Sequence, residues 1–315
     1  MIGRIIEIAS DGRYLHAYRG FMLVRQGKQE LARIALDDIA AVIGNAHGLT
    51  WSNELLVRLA ERGAPLVLVN RQHRPIGLLL GIDGHHRQGL RLVRQAELKR
   101  PQRKRLWKRV VQAKLVAQAR TLEAFGASGK PLRRLATGVR SGDPDNREAQ
   151  GARAYWPQLL GRSFRRNPDF NGSNALLNYG YTVLRAAVAR GIVAAGLHPT
   201  LGIQHRNEFN SAALADDLME PFRPLIDACV RGLVDRGVLE VSSEAKRMLA
   251  LCLYRTMTTE AGASPVATAI ERLCTSLAQV IEGERAQLEL PGEFSLEALR
   301  SLAIAAGESS HQEDE

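Results

Sequence analysis

Residues 174–205 read NALLNYGYTVLRAAVARGIVAAGLHPTLGIQH. From Asn174 to Ala195 the stretch is apolar enough for a long packed helix, Gly196 supplies its stop, and Pro199 lies just beyond. A loop from Leu201 to Asn210 follows, and a second helix is expected from Ser211. Working outward toward the C-terminus, the chain stays Ala/Leu/Arg-rich, with helical stretches expected at about Glu244–Thr259 and Val266–Ile281. The final GESSHQEDE is an acidic, polar tail expected to fray. Working outward toward the N-terminus, a helix is expected after Asp143-Pro144, because Asp caps helices and Pro fits a first turn. Before it, Leu106, Val110, Ala113 and Ala117 keep the spacing of a buried helical stripe.

Upstream of Gly84-His85-His86 the period changes. IIEIA, RYLHAY, FMLVRQ, IAAVIG, PLVLVN and IGLLLGI are short apolar or alternating runs between Gly, Asp and Asn turn signals, which is the pattern of strands. One segment, Trp51 to Gly63, reads instead as a helix with Leu55, Leu56 and Leu59 on one face. The expected fold class is α+β. A small N-terminal β-rich, β-sandwich-like domain (1–83) leads into a basic linker and helices (84–142). An all-α domain (143–300) and an acidic tail (301–315) complete the chain.

Length and composition fit two domains: 315 residues, 45% of them hydrophobic, make a substantial core. Cys229, Cys252 and Cys274 neither pair evenly nor form C-x-x-C, so a disulfide scaffold or zinc ribbon is not expected and a reducing, cytoplasmic setting is. No apolar run reaches ~18 residues, so no membrane span is expected. The N-terminus turns polar too early for a secretory signal. The P-loop, G-x-G-x-x-G, G-x-S-x-G and H-E-x-x-H patterns are absent.

Charge is the conspicuous feature. The formal net is +10, yet residues 87–134 alone hold fifteen Lys and Arg against two acids, Glu97 and Glu123. The rest of the chain is slightly acidic. A localised basic stripe points to a polyanion partner, although a solvated helix face has the same composition. Lys104, Arg105, Lys108, Arg109 and Arg120 fall mostly opposite the apolar stripe of their helix, with Lys114 as the exception, and all six are candidate DNA contacts.

Candidate chemistry gathers around His205. Asp217 and Glu220 are three apart, hence neighbours on a helix, with Leu214, Leu218 and Phe222 on its opposite side. An imidazole beside converging carboxylates is the inventory of a Mg²⁺ or Mn²⁺ site; acids opposite an apolar stripe also fit a plain solvated face. His85 and His86, adjacent on a loop, are poor candidates for shared ligation. Trp51, Trp107 and Trp156 sit on helical spacing and suit core or interface anchoring better than base stacking, given only 5% aromatic residues.

Three stretches carry a family resemblance: REAQGARAYWPQLL (147–160), residues 174–205 above, and LADDLMEPFRPLID (214–227). Together they resemble the CRISPR spacer integrase, the first-numbered Cas protein and nuclease subunit of the adaptation complex. The compact length and the Lys114-x-x-x-Gln118 spacing look like its type II branch. The resemblance implies Glu148, His205 and Glu220 as ligands of Mg²⁺ or Mn²⁺, and Asp217 as a second acid beside the metal. Some branches carry two aspartates where this chain has Asp and Glu, so the division of roles between Asp217 and Glu220 stays open. Arg206 and Asn207 follow the histidine and suit phosphate contacts or plain loop positions. Tyr155 and Trp156, about two turns after Glu148, are placed to meet DNA, with core packing expected for at least one.

The implied activity is metal-dependent cleavage and strand transfer on double-stranded DNA, inserting short duplex fragments into a repeat array. The implied partners are a homodimer through the β-rich domain, the small second-numbered Cas protein, and other adaptation proteins of the locus. Two other functions share these residues: a structure-selective repair nuclease, and a non-catalytic DNA-binding adaptor.

Overall fold

The structure is a computed structural model that describes residues 4–70, 75–81, 85–205, 207, 210–259 and 262–304. Its N-terminal part runs β1 (Arg4–Ile8), β2 (Arg13–Tyr18), β3 (Phe21–Gln26), β4 (Gln29–Ala35), β5 (Ile39–Gly44), β6 (Leu49–Trp51), α1 (Asn53–Glu61), β7 (Leu66–Val69) and β8 (Pro75–Leu79). These strands make two four-stranded sheets, ordered β1-β5-β7-β8 and β4-β3-β2-β6. In the first sheet β1, β5 and β7 are parallel and β8 returns antiparallel.

Alternation along a strand lets the first sheet serve two cores. Val42 and Leu66 pack with Leu15, Met22, Leu55 and Leu59 between the two sheets and α1. Their neighbours Ala41, Ile43, Val67 and Val69 join the helical core on the other face. β5 is buried at every residue, so its sequence is a continuous apolar run rather than an alternating one.

Two strands escaped the sequence pattern. Five of the seven β4 residues are exposed at a sheet edge, which removes the apolar signal. β6 has only three residues, and it carries Trp51, which is therefore a strand residue rather than a helical one. The helix starts after Ser52, whose Oγ accepts from Leu55 N at 3.2 Å, and stops before Gly63 at φ +61°.

The remainder holds α2 (Gln88–Ala96), α3 (Arg100–Ala124), α4 (Lys130–Thr137), α5 (Arg147–Leu160), α6 (Ser173–Ala194), α7 (Ala213–Met219), α8 (Arg223–Asp235), α9 (Ser243–Leu251), α10 (Val266–Glu282) and α11 (Leu296–Ile304). A hairpin of β9 (Thr256–Thr259) and β10 (Gly262–Pro265) interrupts them. This corrects two expectations. The helix expected at Glu244–Thr259 ends at Leu251, because the Thr-rich segment 256–259 pairs as a strand. The second domain is consequently mostly, not wholly, helical. The tail begins later than position 301, since α11 continues to Ile304; residues 305–315, like the 83/84 boundary, lie outside the described residues. Among the described residues no helix is long and apolar enough to cross a membrane.

α3 and α6 organise the helical core. Leu106, Trp107, Val110, Val111, Leu115 and Leu122 of α3 are all buried, as are Leu176, Leu177, Val183, Leu184, Val188 and Ile192 of α6. α3 is buried most completely beyond Val110, so its unpaired charges crowd into its first three turns.

Candidate metal centre and its arginine groove

α5 brings Glu148 to its place. The helix begins at Arg147, three residues later than the Asp143-Pro144 signal suggests, with Asn146 as its cap. Asp143 still serves the first turn: its carboxylate accepts from Arg147 N at 2.9 Å and Glu148 N at 3.0 Å. One turn on, Gly151 lets α5 press against α3, where a Cβ would stand 2.2 Å from Leu115 Cδ2. Glu148 thereby faces the middle of α3. There the Lys114 Nζ lies 2.6 Å from Glu148 Oε1 and 2.5 Å from Glu220 Oε2. Glu220 follows α7, and its other oxygen stands 3.2 Å from Arg223 Nε.

His205 reaches the same region through a tight loop folded over Asp217. Asp217 is completely buried and both its oxygens are used. Oδ2 accepts from Ile203 N (2.5 Å) and Gln204 N (2.9 Å); Oδ1 accepts from His205 N (3.2 Å) and from His205 Nδ1 (2.6 Å). A carboxylate accepts only, so Nδ1 carries the proton and Nε2 is the nitrogen left for a ligand. Gly202 makes the fold-back possible, because a Cβ there would meet His205 O at 2.4 Å. The Trp107 ring meets the imidazole edge-on at 5.7 Å. Arg206 lies outside the described residues; Asn207 accepts from Asn210 N through its carbonyl.

The electrostatics are those of charges compensated at close range, with Glu220 and Asp217 buried and His205 and Glu148 partly exposed. Hydrogen bonding to Asp217 raises the His205 imidazole above its usual value, against the effect of burial. Burial disfavours the Glu220 carboxylate, yet Arg223 and Lys114 outweigh it and hold the carboxyl below the ordinary range. Burial likewise opposes the Lys114 ammonium, and Glu220 with Glu148 carries it upward instead. Lys114 is therefore an interior residue of the site, not the surface DNA contact its sequence position suggested.

The donor set suits a divalent ion. It offers one imidazole nitrogen and two carboxylates, the hard and borderline donors that Mg²⁺ and Mn²⁺ take. Glu220 Oε2 is also buried without a well-directed hydrogen bond, despite the nearby ammonium. Among the described residues, no three His, Cys, Asp or Glu side chains stand close enough to share one ion.

A groove of about 480 Å³ opens beside His205, lined among others by Arg166, Asn178, Arg185, Asp216 and Arg223. The Asn-Tyr-Gly-Tyr run of α6 builds it. Asn178 Oδ1 and Asn174 Oδ1 accept from Arg166 at 2.7 and 3.0 Å, so this guanidinium rests on neutral partners. Tyr181 lies under Arg223 (4.7 Å) and Arg166 (5.5 Å), and its hydroxyl donates to Asp227 at 2.5 Å. Gly180 admits Ile226, whose Cγ2 would be 2.4 Å from a Cβ. Burial pushes Asp227 up to about 7, with Tyr155 donating to its second oxygen at 3.0 Å. Tyr155 is thus fully buried core, and Trp156 packs half-buried against Phe164. These three arginines lie outside the 87–134 stripe, so local charge could not reveal them; Arg185 and Arg223 stand within the quoted stretches and Arg166 lies outside them.

The stripe itself divides. Arg87 and Arg91 pair with Glu282, Arg94 bonds the Glu282 carbonyl, and Arg133 pairs with Glu123 and Glu293. Arg120 pairs with Glu123 and Glu293 and donates to Phe294 O, so this candidate DNA contact is spent internally. Lys104, Arg105 and Arg109 are exposed and Lys108 half-exposed, with no ion pair among the described residues. His85 is engaged by Arg91 and Arg87, and its ring stacks on His86 at 4.3 Å.

Asp217→Ala is expected to cost about 3 kcal/mol or more, since three backbone N–H groups and a ring N–H lose one acceptor and each stranded donor costs roughly 1–3 kcal/mol. Urea unfolding measures it; a loss under about 1 kcal/mol would mean that the loop is held by something else.

Comparison with known proteins bears on the family and the fold. The family model described as CRISPR associated protein Cas1 matches residues 6–261. A CRISPR-associated endonuclease Cas1 from Neisseria meningitidis serogroup C (strain 8013) is 38% identical over 296 residues, covering 92% of this chain and 96% of that one. Among solved structures, a casposase bound to integration product superimposes with TM-score 0.79 at 17% identity, covering 93% and 95% of the two chains. A Cas6-RT-Cas1–Cas2 complex matches with TM-score 0.73 at 19% identity, over 91% of this chain and 36% of that one.

Proposed function

The chain belongs to the CRISPR-associated Cas1 family, and from that premise we propose that it is the integrase of CRISPR adaptation. Its reaction joins a short duplex DNA fragment to a repeat array by attack of a DNA 3′-hydroxyl on a phosphodiester. The observation that carries this reading is the convergence of Glu148 and Glu220, from separate elements, on one cationic centre beside an oriented His205. Glu148, His205 and Glu220 are the residues that would hold Mg²⁺ or Mn²⁺. Such an ion, when bound, supplies neutralisation of the charge that builds on phosphate oxygens and activation of a hydroxyl nucleophile.

The chain's own groups do the rest. Asp217 fixes the tautomer and aim of His205 from outside the ligand set, the usual carboxylate–histidine arrangement. In this reading the direct carboxylate role falls to Glu220 and the positioning role to Asp217. Arg166, Arg185 and Arg223 line a groove that suits a DNA backbone running up to the centre, with Arg166 held by the amide oxygens of Asn174 and Asn178 and in no ion pair among the described residues. The exposed basic cluster on the first turns of α3 offers the DNA backbone a second surface.

Water in place of the 3′-hydroxyl would make the same centre a nuclease, so the decisive assay is strand transfer. Fragments with free 3′-hydroxyl ends, incubated with a repeat-bearing plasmid and Mn²⁺ or Mg²⁺, should become covalently joined at repeat borders. Hydrolysis with no joined product would favour the repair nuclease, and neither reaction would favour the adaptor. The assay is run with and without the small second-numbered Cas protein, the partner type present in the Cas1–Cas2 complex above. A homodimer through the β-rich domain completes the proposal. Tyr14, Tyr18 and Phe21, each more than a third exposed on one face of the β2–β3 pair, offer it an apolar surface.

A further inference from the structure

Resting on the metal reading above, we infer that Lys114 is a resident counter-cation of that centre, holding Glu148 and Glu220 together until a divalent ion displaces it. The two carboxylates come from elements 72 positions apart in sequence, and the ammonium at 2.6 and 2.5 Å is the group that bridges them. Arg223 neutralises Glu220 from its other oxygen and makes no contact with Glu148 among the described ion pairs. A buried ammonium and a divalent cation repel strongly over a few ångströms, so both cannot occupy one pair of carboxylates. Binding of one therefore expels the other.

The fold provides a place for the expelled group. Gln118 lies four residues after Lys114 on α3, hence on the same helix face one turn away. It is 2% exposed, and its side-chain oxygen accepts no hydrogen bond among the described residues. A buried acceptor left unpaired is costly, and an ammonium leaving Glu148 and Glu220 would satisfy it. Gly151 lies beside this oxygen, 3.6 Å from where its Cβ would stand, so α5 packs against that turn of α3. The Lys-x-x-x-Gln spacing thereby acquires a role: one position for the ammonium at the carboxylates, another one turn along.

The test is Mn²⁺ titration of the full chain, read by the electron-paramagnetic signal of free Mn²⁺. Lys114→Gln should bind Mn²⁺ at least about tenfold more tightly than wild type, because the competing charge is gone. Unchanged or weaker binding would overturn the inference. Glu220→Gln serves as the separate control on the centre: if its Mn²⁺ binding equals that of wild type, the metal site itself is wrong. Should Lys114→Gln not fold, the wild-type chain still decides the matter. It has seven lysines, and the ¹⁵N-ammonium signal of a buried, ion-paired Lys114 should move as Mg²⁺ is added. An ammonium signal unmoved at saturating Mg²⁺ would show that the lysine keeps its place.

Discussion

Glu148→Ala and His205→Ala are each expected to abolish Mn²⁺-dependent strand transfer, by about three orders of magnitude or more, while the protein stays folded and binds DNA. Both side chains are partly exposed, at 24% and 44%, and each leaves its buried partner another one: Lys114 keeps Glu220, and Asp217 keeps three loop N–H groups. Glu220 is different. It is nearly buried and neutralises both Lys114 and Arg223, so Glu220→Ala leaves two interior cations with one carboxylate fewer. Breaking a buried pair from one side typically costs about 3–5 kcal/mol. Glu220→Ala should therefore lose activity and stability together, and Glu220→Gln, which keeps the shape, should lose activity with a smaller fall in melting temperature. Joined product on a gel and a thermal melt for each variant separate the two effects. Full strand transfer by any one variant would remove that residue from the centre, and loss of DNA binding alongside would point to a structural role.

What the residues announced in advance, and what they concealed, follows from the range of the interactions involved. Strands with a buried face and a turn at each end were legible, as β2, β3, β5 and β7 show. β4 was not, because its edge position leaves it polar, and the strand at Thr256–Thr259 was hidden behind helix-like neighbours. Within the site, Glu148, His205 and Glu220 stood out only through the ordered motif, since no local period connects them. Asp217 looked like an equal of Glu220 at helical spacing. Its commitment to three loop N–H groups and an imidazole appears only when residues 203–205 fold back upon it. Lys114 departs from its basic neighbours already in the helical period, which sets it apart from the face opposite the apolar stripe, but its partners lie 34 and 106 positions away and no local pattern names them. Arg120 repeats the lesson with Glu293.

The same sorting turns the bulk charge into a measurable slope. Of the fifteen basic residues between Arg87 and Arg134, six are engaged inside the chain: Arg87, Arg91, Arg94, Lys114, Arg120 and Arg133. Seven of the other nine, Lys99, Arg100, Arg103, Lys104, Arg105, Lys108 and Arg109, crowd around the first turns of α3 without an ion pair among the described residues. If about six or seven phosphates are neutralised there, affinity for duplex DNA should fall by roughly 10³–10⁴ between 50 and 200 mM salt, because each neutralised phosphate contributes about −0.9 to the logarithmic slope. Single replacements then distinguish the two classes of arginine. Arg105→Ala should reduce the slope by about 1, whereas Arg120→Ala, whose guanidinium already serves Glu123, Glu293 and Phe294 O, should leave it unchanged. Fluorescence anisotropy of a labelled duplex over a salt series reads both. An affinity indifferent to salt would sink the basic cluster as a DNA-holding surface, and a lowered slope in Arg120→Ala would mean that the internal ion pairs open when DNA arrives.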